Sequence, residues 1–158
     1  MLVGATAGIL DPGARSRRRD EDLALAESLE REGDAGLPVF LDRWLRSPLF
    51  QGLTPEAAGI DARLANTAAG LASSLRLCGT GSQEPLDERL VDLAMPVLLV
   101  VGEHDRRFRE EAGRLQAAIR SADVAVVEGA GHACHLERPE AFLDIVETWL
   151  TTTAPARG

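Results

Sequence analysis

Pro96-Val-Leu-Leu-Val-Val-Gly-Glu-His-Asp105 carries the strongest structural signal in the chain. The unbroken Val/Leu run from Val97 to Val101 has the composition of a strand buried on both faces, the kind found inside parallel sheets. On its C-terminal side, the pattern predicts a helix over about 107–120, a short strand over 122–127 and an amphipathic helix over 139–150. That βαβα order is the mark of a parallel sheet flanked by helices, so the chain falls in the α/β class.

At the N-terminal end, Met1-Leu-Val-Gly-Ala-Thr-Ala-Gly8 reads as the end of a further buried strand, one that starts abruptly. Residues 14–78 are all helix and loop. A charged helix carrying Leu23, Leu25, Ala26 and Leu29 is broken at Gly33–Gly36, and a second helical stripe (Val39 to Leu45) is stopped by Ser47-Pro48. Thr54-Pro55-Glu56 opens a third helix, because a capping hydroxyl followed by proline suits a first turn. A fourth is predicted over about 63–77, with Leu64, Ala68, Leu71 and Leu75 on one face. The expected organisation is a core made of residues 1–10 and 94–151, a helical cap and connector over 11–93, and a disordered tail over 152–158.

Composition narrows the function. The 158 residues hold 17 Lys+Arg against 25 Asp+Glu, a formal net charge of −8, with 45% hydrophobic and 27% charged residues. Such a chain is too apolar for intrinsic disorder, and its acidity repels a phosphate backbone, which points away from nucleic acid and toward a small-molecule or protein partner. The longest apolar run, Met95 to Val101, falls far short of the roughly 20 residues a membrane span needs, and no secretory signal follows Met1. A cytoplasmic location is the expectation. Cys78 and Cys134 lack metal or redox spacing and read as ordinary buried or half-buried thiols; neither a metal nor a cofactor is expected.

In parallel α/β sheets, chemistry gathers beyond the carboxyl ends of the strands. Gly102-Glu103-His104-Asp105 follows the first C-terminal strand and Glu128-Gly129-Ala130-Gly131-His132 the next, so Asp105 and His132 are predicted on adjacent strand ends. A carboxylate accepting from one imidazole nitrogen fixes the tautomer and leaves the other nitrogen to take a proton. The pair has the form of a base and its orienter. His104 reads as a surface neighbour of the acid, and His135 with Cys134 has no second ligand pair for a metal.

These loops, together with His135-Leu-Glu-Arg-Pro-Glu140 and the closing amphipathic helix, resemble the C-terminal part of the α/β-hydrolase fold. That family orders its triad as nucleophile, acid, base. The resemblance implies Asp105 as the catalytic acid and His132 as the catalytic base. Leu2 to Ile9, the Arg cluster from Arg15, Phe40-Leu-Asp-Arg-Trp44-Leu, Pro48-Leu-Phe50 and Asn66 to Gln83 are similar to a narrower group, the 2-succinyl-6-hydroxy-2,4-cyclohexadiene-1-carboxylate synthases of menaquinone biosynthesis. That likeness implies a lyase: a Ser-Asp-His triad acts as a base on a cyclohexene intermediate and pyruvate leaves by elimination.

It also implies a polycarboxylate substrate, for which Arg18, Arg63 and Trp44 are the expected binding residues; the guanidinium fork suits a carboxylate. The Arg15–Arg19 cluster equally suits a solvated helix face, and Trp44 equally suits a core position. A generic ester or C–C bond hydrolase and a non-catalytic hydrolase-like binding module stand as alternatives. No G-x-S-x-G occurs in the sequence. The chain therefore reads as the C-terminal portion of a longer enzyme, inactive without the serine and oxyanion donors expected upstream.

Overall fold

The computed structural model describes residues 1–153. Among them three parallel strands form one sheet in the order β1 (Leu2–Val3), β2 (Val97–Gly102), β3 (Ala122–Val127). Every residue of β2 is buried, as its continuous apolar run requires of a strand with a neighbour on each edge and cover on each face. The registers Leu2↔Leu99 and Gly102↔Val127 bring the carboxyl ends of β2 and β3 to one level. The opening strand is shorter than the Met1–Gly8 expectation, because pairing stops where Gly4 N–H donates to the Val100 carbonyl at 3.0 Å.

The helices are α1 (Pro12–Leu45), α2 (Pro55–Ala58), α3 (Ile60–Leu64), α4 (Ala68–Cys78), α5 (Arg106–Ala118), α6 (Cys134–Glu137) and α7 (Pro139–Thr153), with 3-10 turns at Pro48–Phe50 and Asp87–Asp92. They fall into two compact units. The sheet unit comprises Met1–Thr6, Leu49–Ala57 and the chain from Glu88 onward; the helical unit comprises Ala7–Pro48 and Ala58–Asp87. Segment 49–57, which the sequence grouped with the cap, thus clusters with the sheet.

In the sheet unit, Leu98, Val100, Val127, Ala130 and Cys134 form a buried cluster against which Phe142, Ile145, Val146 and Trp149 of α7 pack. Full burial of a Leu or Val side chain contributes roughly 1.5–3 kcal/mol, so this cluster holds α7 on the sheet. The last residue of β2, Gly102, has to be glycine because a Cβ there would collide with the backbone of Ala130 and Gly131. In the helical unit, Ala26, Leu29, Leu37, Phe40 and Leu41 of α1 close on Ala68 and Ala72 of α4.

Asp11 caps α1, accepting from Ala14 N–H at 2.7 Å. The break predicted at Gly33–Gly36 is a kink at one residue, Gly33 (φ 63°, ψ −167°), a conformation close to glycine-only. The fourth predicted helix, 63–77, is corrected to two, α3 and α4. Asn66 bonds back to the Arg63 carbonyl, while the Thr67 hydroxyl accepts from Gly70 N–H and Asp34 from Ala68 N–H, so α4 gets its own N-terminal cap. Leu64, placed on the buried stripe, is accordingly exposed. The predicted tail over 152–158 is corrected at its start: α7 runs through Thr153, and residues 154–158 lie outside the described residues. Among the described residues no helix is long and apolar enough to cross a membrane.

Candidate active site

Asp105 and His132 meet in the sheet unit. His132 Nδ1 lies 2.6 Å from Asp105 Oδ2, with the histidine side chain 21% exposed and the aspartate 8%. Their loops are knit by backbone bonds, Glu103 N–H to the Val127 carbonyl at 3.0 Å and His104 N–H to the Ala130 carbonyl at 2.8 Å. Asp105 is also the N-cap of α5, its Oδ1 accepting from Phe108 N–H at 3.2 Å. A carboxylate only accepts, so Nδ1 carries the proton and Nε2 is left as the basic nitrogen. Among the described residues Nε2 has no hydrogen-bond partner.

The imidazole is flanked by aromatic rings, Phe108 at a centroid distance of 4.6 Å and Phe50 at 6.3 Å. Gly4, just past β1, comes close enough that a Cβ there would stand 2.9 Å from His132 Cε1. This arrangement fixes the ring in place with one nitrogen free to exchange a proton. His104 and His135 are exposed and outside the pair, His135 resting 6.0 Å from the Phe142 ring. Burial pushes the Cys134 thiol up, which favours its protonated form. The expectation of buried or half-buried thiols fails for Cys78, which is exposed on the last turn of α4.

Arg18, Arg63 and Trp44 come together in the helical unit, where they line a cavity of about 380 Å³ with Asp22, Phe40 and Leu75. Arg63 is held by a bond from its Nε to the Ala58 carbonyl at 2.7 Å. Arg18 donates through Nε to Asp22 Oδ1 at 3.0 Å. Asp22 is 2% exposed, the one buried charged residue among those described, and its Oδ2 has no partner. Trp44 does both things the sequence allowed: it packs on the core cluster, 5.9 Å from Phe40, and it lines the cavity. Of the Arg cluster, Arg17 and Arg19 are solvated, while Arg15 binds the Ile9 carbonyl.

The sequence pattern of the alpha/beta hydrolase family matches residues 2–145. The chain belongs to that family. Within it, a Bacillus subtilis (strain 168) protein provisionally named 2-succinyl-6-hydroxy-2,4-cyclohexadiene-1-carboxylate synthase is 35% identical, over 96% of this chain and 56% of the relative. The Serratia proteamaculans (strain 568) synthase of that name is 32% identical, over 90% of this chain and 53% of the relative. A solved MenH structure from S. aureus superposes with a TM-score of 0.91 at 28% identity, covering 98% of this chain and 59% of that one. A thermophilic esterase from Thermogutta terrifontis superposes at 0.75 with 23% identity, a likeness of fold. The chain thus spans a little over half the length of the relatives it matches. Within the alpha/beta hydrolase frame, sequence reasoning missed Gly4, Phe50 and Phe108 around the imidazole; only contact in three dimensions singles them out. It also passed over Asp22, although its spacing of four from Arg18 on a predicted helix was readable.

Proposed function

We propose that this chain is the acid- and base-bearing part of a carbon–oxygen lyase of the menaquinone pathway, which eliminates pyruvate from an enolpyruvyl cyclohexene carboxylate. Arg18 and Arg63 take carboxylates of the substrate, and Trp44 walls the apolar ring. His132, held by Asp105, serves as the base through Nε2, acting with a serine supplied by a nucleophile elbow. A proton leaves the ring, its C–H electrons form a ring double bond, and the C–O bond to the enolpyruvyl group breaks; the departing enolate takes up the proton as pyruvate. No acyl-enzyme forms. The observation that carries this reading is the convergence of two arginines on one cavity of an acidic protein, which an enzyme for apolar esters does not need. The names of relatives at 32–35% identity support it.

A chain without an elbow serine turns over no substrate by itself, since the nucleophile and oxyanion donors supply most of a triad's rate. The test is to express the chain with and without upstream genomic codons and to follow pyruvate release from the enolpyruvyl substrate. Release from the extended form alone is expected. A folded extended protein that releases no pyruvate, or that cleaves simple esters instead, overturns the reading.

A further inference from the structure

Two carboxylates brace the loop that presents His132. Glu137, the last residue of α6, accepts from Gly131 N–H through Oε2 at 2.6 Å and from Ala133 N–H through Oε1 at 3.1 Å. Those are the residues immediately before and after His132, so a single carboxylate straddles the histidine along the backbone without bonding to its ring. Glu103, from the acid loop, accepts from Gly129 N–H at 2.8 Å. Three alternate amides of the loop, at 129, 131 and 133, therefore end on carboxylate oxygens. Glu103 is exposed, whereas Glu137 is half-buried and boxed in: a Cβ added at Gly52 would fall on its carboxylate.

A carboxylate suits this task because it offers two accepting oxygens and no donor. A glutamine can accept at one oxygen, but it would turn its NH₂ donor toward the second amide. Bonds from N–H groups to an ionised acceptor are also roughly twice as strong as neutral ones, enough to hold a glycine-flanked loop that has little conformational restraint of its own.

We propose that Glu137 is a positioning residue for His132, holding the backbone on both sides of the histidine so that Nδ1 stays on Asp105 and Nε2 stays free. This deepens the reading of His132 as the base and rests on it. A residue that merely capped α6 would affect that helix and leave the histidine–aspartate bond alone.

The experiment uses the full chain, isotopically labelled, and reads the His132 Nδ1–H resonance by NMR. A hydrogen bond to Asp105 at 2.6 Å moves that proton to low field and shields it from exchange, with His104 and His135 as internal references. Asp105→Asn assigns the signal by abolishing it. Glu137→Gln is expected to lose the low-field resonance while the amides of β2 and β3 keep their positions. Gly52→Ala, which displaces the carboxylate without changing it, is expected to weaken the same resonance. A full-strength signal in folded Glu137→Gln overturns the proposal whatever Gly52→Ala does, and so does its absence from the unmodified chain. Should Glu137→Gln not fold, Gly52→Ala decides alone, and an unchanged signal there overturns it. The readout needs no substrate, so its failure is distinguishable from failure of pyruvate release.

Discussion

Asp105 uses its two oxygens for two purposes, one to cap α5 through Phe108 N–H and one to hold His132. Both partners lie where sequence can find them, the cap three residues on and the histidine at the end of the next strand. The arginines of the cavity are separated by their partners rather than by their chemistry. Arg63 is tied to a backbone carbonyl, and Arg18 to a buried carboxylate that has no other partner. In the extended enzyme, Arg63→Ala is expected to lower kcat/KM roughly tenfold to a hundredfold, the worth of about 1.5–3 kcal/mol for a charge-assisted bond. Steady-state pyruvate release measures it, and a change within twofold removes Arg63 from the site. Arg18→Ala should in addition cost about 1 kcal/mol of stability by urea unfolding, because it strands Asp22; Arg18 is partly solvated, which keeps that cost low. Arg63→Ala, which strands no buried charge, should unfold close to the unmodified chain.

At the scale of elements, the strands, α5 and α7 were readable because their signals are local, an apolar run for β2 and a 3.6-residue stripe for each of the two helices, whereas the four-residue α6 left no such signal. The stretch from Leu49 to Thr67 was legible only at Thr54-Pro55, where the Thr54 hydroxyl accepts from Ala57 N–H at 3.2 Å at the start of α2. Its elements are only three to five residues long, too short for periodicity to register, and the start of α4 just beyond them depends on a bond from Ala68 N–H to Asp34 that crosses 34 positions of sequence. The kink in α1 lies between these cases, since Gly33 was flagged but only its backbone angles fix the break at one residue. Gly33→Ala is expected to destabilise the chain by roughly 1–3 kcal/mol, the usual cost of a side chain in that region of backbone space. A thermal midpoint equal to that of the unmodified chain would show that α1 can straighten without loss. Gly36→Ala is the less suitable comparison, because a Cβ there meets the Glu32 side chain.

For the molecule as a whole, the buried Cys134 thiol couples stability to alkaline pH. Burial raises its folded-state pKa, so below the ordinary thiol value of about 8.5 the group is protonated in both states and the stabilisation is fully present. Above that value the unfolded chain releases a proton that the folded chain retains, and stability falls as pH rises toward the folded pKa. Denaturant unfolding at a series of alkaline pH values should show this decline, and Cys134→Ala should flatten it; an identical slope in the variant would assign the decline elsewhere. By itself the sequence determined the α/β class, the order of the C-terminal elements and the two loops that carry Asp105 and His132, because hydrophobic period, caps and strand ends are properties of neighbouring residues. Folding in three dimensions is what brings those two side chains to 2.6 Å, gathers Arg18, Arg63 and Trp44 on one cavity, and lets Glu137 span the amides on either side of His132. Those facts depend on strand register and on close approach between segments distant in sequence, which burial and packing enforce and no local pattern encodes.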